Sequence, residues 1–209
     1  MSFKKDLTGK KETRFFKIKE LRSSKNDDGD TVIGRYSAVF ESLSVDMGWS
    51  DWSFFEKIDS GAFTKALKNS DIRALFNHDP NFILGRESAG TLIVKVDDIG
   101  LDSDIILPNT TAGRDLDISM QRGDIREQSF SFIVGKQRWE EDEEKRVTTR
   151  TILEFEEILD LGPVTFPAYT DTDIAKRSLE EFRKSRDKPE KDEFKELDEK
   201  ILQLELELI

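Results

Sequence analysis

Two long runs of strand-forming residues, Glu127 to Trp139 and Arg146 to Leu161, flank the acidic segment Glu140-Glu141-Asp142-Glu143-Glu144. Each run reads as a β-strand, and the carboxylates between them read as a solvated hairpin loop. Other stretches fit the same scheme. Thr13 to Leu21 and Thr31 to Phe40 flank the turn-rich segment Ser23 to Asp30 and suggest a second hairpin. Gly90 to Val96 and Leu101 to Leu107 surround the turn Asp97-Asp98-Ile99-Gly100. Helical patterns are fewer. Ser60 to Lys68 has a Ser cap and carries Ala62, Phe63, Ala66 and Leu67 on one side. Thr110 to Gln121 places Leu116 and Met120 four apart, with Gly123 as its stop. The expected class is α+β, a sheet or barrel with helices packed around it.

The ends of the chain differ from its middle. Residues 1–25 hold nine Lys/Arg against three Asp/Glu and read as a basic arm. A central domain is expected over residues 26–175 and a charged helical tail over residues 176–209. In that tail Asp173 to Arg186 reads as a helix broken at Pro189. Phe194, Leu197, Ile201, Leu204 and Leu208 then recur three and four apart, a short coiled-coil-like stripe suited either to pairing with another helix or to packing on its own domain. A stripe of little more than two heptads is marginal alone.

Composition removes several functions. The chain has 209 residues, no cysteine and one histidine. Disulfides, thiolate metal sites, cysteine nucleophiles and poly-His metal centres are therefore excluded, and neither cofactor nor metal is expected. The net charge of −11 argues against nucleic acid as the main partner, because phosphate binding needs clustered Lys and Arg. There is no apolar run of the roughly 18 residues a membrane helix needs and no secretory signal at Met1 to Asp6. A soluble protein made in a cytoplasm is expected, with no membrane partner.

Chemistry that needs an imidazole must use His78, which lies where the apolar end of Ala74-Leu75-Phe76 runs into the turn Asn77-His78-Asp79-Pro80. In Gln128-Ser129-Phe130-Ser131-Phe132 a strand would point both serines to one face and both Phe to the other. The bland arrangement buries the Phe face and turns the Ser face to water. Serine is a poor nucleophile without a base, and His78 is the sole side chain of ordinary neutral-range basicity. The two hydroxyls would lie roughly 6–7 Å apart, so His78 can serve one at a time. A third stretch, Glu154 to Tyr169, brings many carboxylates to a Gly-Pro turn. Parity puts Glu154, Glu156, Ile158 and Asp160 on one face of a regular strand, and composition does not choose among the acids.

Seven segments in order resemble the tailed-bacteriophage prohead (capsid-maturation) serine proteases, a family similar in fold and catalysis to the herpesvirus assemblin proteases. They are Gly34 to Phe40, Glu56-Lys57-Ile58-Asp59-Ser60-Gly61-Ala62-Phe63, Phe76-Asn77-His78-Asp79, Leu84-Gly85-Arg86, Gly100-Leu101, Ser129-Phe130-Ser131-Phe132, and Asp160 to Tyr169. The resemblance spans roughly Val32 to Asp173. It implies a mainly antiparallel β-barrel of the herpesvirus-protease kind, surrounded by helices. It also implies a serine endopeptidase with His78 as base, Ser129 as nucleophile and Asp160 as acid. Ser131 stands where the family more usually has Gly and is a second candidate hydroxyl. Asp160 stands where Glu is common, and Glu156 is the reserve acid.

The resemblance further implies where such an enzyme works. It would sit inside an immature procapsid in the bacterial host cytoplasm, cut scaffold segments from the capsid protein, cut itself and self-associate. The competing expectation is a catalytically idle assembly factor on the same fold.

Overall fold

The computed structural model describes residues 10–15, 22–48, 50–166, 179–180 and 182–184. The described strands are β1 (Lys11–Phe15), β2 (Arg22–Lys25), β3 (Thr31–Gly34), β4 (Ala38–Val39), β5 (Ser53–Ile58), β6 (Arg73–Leu75), β7 (Ile83–Arg86), β8 (Leu92–Val96), β9 (Gly100–Ile106), β10 (Glu127–Asp142) and β11 (Val147–Val164). Two α-helices intervene, α1 (Ala66–Asn69) and α2 (Thr111–Arg122).

The expected hairpin around the acidic segment forms the spine. β10 and β11 pair antiparallel from Glu127↔Val164 to Asp142↔Val147. β1 adds antiparallel to the free side of β10. The other side of β11 is long enough for two short parallel neighbours in succession. β5 pairs along Val147 to Ile152, and β6 pairs at Asp160 and Leu161. β7 completes this six-stranded sheet by pairing with β6. The second sheet runs β2-β3-β9-β4, with β8 also on β9.

The expected closed barrel ringed by helices is therefore corrected to two sheets with few helices. Closure needs the two edge strands to meet at a consistent stagger. Among the described residues β1 and β7 stand at opposite ends of their sheet and do not pair.

Phenylalanines fill the core. Phe130 and Phe132 project from β10 to meet Phe155 and Phe63, with ring centroids 4.6–4.8 Å apart for Phe63–Phe155, Phe130–Phe132 and Phe132–Phe155. Each buried ring contributes about 1.5–3 kcal/mol. The same face of the six-stranded sheet also holds a buried charge cluster, with Glu12 opposite Phe132 and Arg14 opposite Phe130. Arg150 donates to Glu12 at 2.8 Å and to Glu56 at 2.6 Å, and Arg14 also bonds both acids. These four residues tie β1, β5 and β11 together.

Local expectations fared unevenly. α2 forms as expected: the Thr110 hydroxyl accepts from Gly113 N at 3.2 Å, and Gly123, with φ 81°, caps its C-terminus. The expected helix over Ser60 to Lys68 shrinks to α1. Asp59 instead turns the chain, accepting from Gly61 N through its side chain and from Ala62 N through its carbonyl. The apolar spacing of Ala62, Phe63 and Ala66 reports burial rather than a continuous helix. The expected pairing of Thr13 to Leu21 with Thr31 to Phe40 is replaced by two pairings, β1 with β10 and β2 with β3.

The chain divides into two units, residues 1–176 and 177–209. In the second, residues 179–180 and 182–184 are helical. The stripe from Phe194 to Leu208 and the motif end at Pro167-Ala168-Tyr169 lie outside the described residues, as does most of the basic arm. Among the described residues no helix is long and apolar enough to cross a membrane.

Candidate active site

β6 delivers His78. Its last residue, Leu75, is followed by a single 3₁₀ turn, Phe76–His78. Asp79 N donates back to Phe76 O at 3.0 Å, and Phe76 N donates to Phe82 O at 3.1 Å, which closes the loop into β7. Two consecutive residues of the turn have positive φ, Asn77 at 54° and His78 at 57°. Left-handed backbone is uncommon outside glycine, although Asn tolerates it best.

β11 delivers Asp160. The register skips one residue of β11 here, pairing Ser131 with Asp160 but Phe132 with Ile158. This bulge at Leu159 reverses the parity of the strand. Ile158 enters the core, and Asp160, two residues later, lies on the opposite face beside Ser131. The expectation of a common face for Glu154, Glu156, Ile158 and Asp160 fails at this point. Gly162 permits a second close approach, because a Cβ there would lie 2.1 Å from Leu75 O, just before the histidine turn.

His78 Nδ1 is hydrogen-bonded to Asp160 Oδ1. Asp160 Oδ2 accepts from Ser131 Oγ and from Lys11 Nζ, the latter at 3.3 Å. Burial pushes the Asp160 carboxyl up, but the hydrogen bonds from His78 and Ser131 and the charges of His78 and Lys11 outweigh it. The net effect is a carboxyl below its ordinary range. Asp160 is thus an anion at neutral pH and an acceptor toward Nδ1, which places the imidazole proton on Nδ1. In the neutral ring Nε2 then carries the lone pair. It is buried and has no hydrogen-bond partner among the described residues.

Of the five residues singled out in the sequence, three converge: His78, Asp160 and Ser131. Ser129 lies on the same face of β10, opposite Gly162, and its hydroxyl donates to Arg14 O on β1 at 2.9 Å. Glu156 is exposed and pairs with Lys65. Both serines are fully buried, so the Ser face of β10 is not open to water. β1 is the neighbouring strand of the sheet, with Thr13 opposite Ser131 and Phe15 opposite Ser129. Three contributors were not singled out: Lys11 on the acid, the Arg14 carbonyl on Ser129, and the Asn77 side chain, which reaches Thr165. Only the last had a sequence signal, an Asn in a tight turn beside the histidine.

Among the described residues no group of three or more His, Asp or Glu side chains is arranged to hold a metal. The arrangement is an imidazole held by a carboxylate, with the hydroxyl of Ser131 on the same carboxylate. The sequence matches the caudovirus prohead serine protease family over residues 18–185, and the chain belongs to that family. No curated protein and no solved structure matches it.

Proposed function

We propose that this chain is the maturation endopeptidase of a phage procapsid, with His78 as general base, Ser129 as nucleophile and Asp160 as the acid that orients the base. The observation that carries the reading is the contact between His78 Nδ1 and Asp160 Oδ1, which leaves Nε2 as the proton acceptor. Ser131 bonds the acid, on the Nδ1 side of the ring. Attack requires a hydroxyl that can reach Nε2; Ser131 is engaged with the acid, and Ser129 is favoured by its match to the family's nucleophile motif.

In the reaction Ser129 Oγ bonds to the scissile carbonyl carbon while its proton passes to His78 Nε2. The C–N bond then breaks and Nε2 returns the proton to the leaving amine. Water, deprotonated by the same nitrogen, releases the acyl group and restores the serine. For this to begin, the Ser129 hydroxyl must leave the Arg14 carbonyl it now donates to.

Membership of the prohead protease family supports capsid-protein scaffold segments as the substrate, with the procapsid as the setting, and the chain's own ends as a second substrate. The charged tail from residue 176 suits docking on scaffold helices. Self-association and kinship with the herpesvirus assemblin proteases belong to the same proposal and rest on motif order alone.

The test is co-expression with the capsid protein. Shortened capsid bands are expected with the wild type and with Ser131→Ala, and none with His78→Ala or Ser129→Ala. Cleavage that survives Ser129→Ala and stops with Ser131→Ala would move the nucleophile. Unshortened bands in every case would favour an idle assembly factor, a reading that the engagement of both hydroxyls away from Nε2 supports.

A further inference from the structure

The left-handed pair Asn77–His78 needs something to hold it. The imidazole contact to Asp160 constrains the ring but not the backbone beneath it. A second link lies one residue earlier. Asn77 Nδ2 donates to Thr165 Oγ1 at 3.1 Å, and Asn77 Oδ1 accepts from Thr165 N at 2.7 Å. Both bonds go to one residue, just past the end of β11 and five positions after Asp160.

We propose that Asn77 is a positioning residue, a two-point clamp on Thr165 that fixes the histidine turn to the acid strand and so aims His78 Nδ1 at Asp160. The proposal rests on the reading of His78 as general base. Its chemistry is specific to a primary amide, which supplies a donor and an acceptor 2–3 Å apart on one planar group. Asp at this position would offer acceptors alone. Gly would accept the backbone conformation and offer neither bond. The clamp also explains why the turn keeps a non-glycine residue at φ 54°. It joins two segments, Phe76-Asn77-His78-Asp79 and Asp160 to Tyr169, that the sequence singled out for other residues.

His78 is the single histidine of the chain, so its imidazole NMR signals need no assignment by mutation. In Asn77→Gly the clamp is lost without backbone strain. The expected result is a kcat for peptide cleavage lowered about 10- to 100-fold with KM little changed, because a displacement of an ångström costs on that order. The downfield Nδ1–H signal should broaden or shift, while the thermal midpoint stays close to wild type. Thr165→Val, which removes one of the two bonds, should give a smaller loss in the same direction, and Thr165→Ser should restore wild-type values. Wild-type kcat and unchanged imidazole signals in both Asn77→Gly and Thr165→Val would overturn the clamp. Cleavage that persists in His78→Ala would instead overturn the assignment of the base, and the imidazole signals of Asn77→Gly would still decide the geometry.

Discussion

Ser131 and Asp160 face each other across the β10–β11 ladder, and the serine hydroxyl donates to the carboxylate oxygen that His78 does not use. The acid is thereby bonded on both oxygens, with Lys11 as a third partner. The Ser131 hydroxyl is thus part of what holds the Asp160 carboxylate in place.

Replacing Asp160 by Asn tests that support from the acid's side. The amide no longer demands a proton on Nδ1, so the imidazole spends its time in the wrong tautomer. A loss in kcat of about 10⁴-fold is expected, the size seen when a triad acid is amidated elsewhere. Steady-state kinetics on a capsid-derived peptide would measure it, and a loss below tenfold would contradict the role of Asp160.

The same carboxyl makes a pH-dependent contribution to stability. Its folded pKa is depressed, so the contribution is complete above the unfolded value of about 4 and is lost as pH falls through the lower folded value. Ser131→Ala removes one of the bonds that depress it and moves the folded value up. The stability gap between wild type and this variant should be widest near pH 7 and shrink toward pH 2. Urea titrations at both pH values check this, and a gap independent of pH would refute it.

Gly162→Ala should damage site and fold together. The new methyl would lie 2.1 Å from Leu75 O, and backbone on both sides cannot yield cheaply. A cost of about 1–3 kcal/mol is expected, with reduced cleavage because Leu75 leads into the histidine turn. Chemical denaturation and a peptide assay on the same preparation measure both.

Arg150→Met addresses the buried charges. Arg150 is fully buried and answers Glu12 and Glu56 at once, and with Arg14 it holds the Glu56 carboxyl below its ordinary range against the opposing effect of burial. Leaving two acids with Arg14 alone should cost about 3–5 kcal/mol. A midpoint of denaturation equal to wild type would show that the cluster rearranges without loss.

The hairpin and α2 were legible because each has a local signature: long strand runs around a charged loop in one case, the four-residue spacing of Leu116 and Met120 with a terminal Gly in the other. His78 and Asp160 were legible through motif order. Their contact was not, because it depends on the skipped residue at Leu159. Parity alone aligns Asp160 with Ile158, and no side chain there announces the bulge. The partner of β1 was also hidden. Alternation tells which face of a strand is buried and not which strand lies beside it. The burial of Ser129 and Ser131 could not be read either, because alternation does not tell whether both faces of a strand are covered.

Among the described residues β1 forms the edge of its sheet and pairs with β10 alone, and its Arg14 carbonyl accepts from Ser129. If Ser129 is the nucleophile proposed above, an extended peptide laid along β10 at this serine would meet a seat already taken by the five residues of β1. Entry would then be an exchange of one strand for another along a single ladder of hydrogen bonds. The apparent affinity for substrate falls in proportion to the fraction of molecules in which that seat is vacant, so a tightly anchored edge would make this a slow, selective cutter.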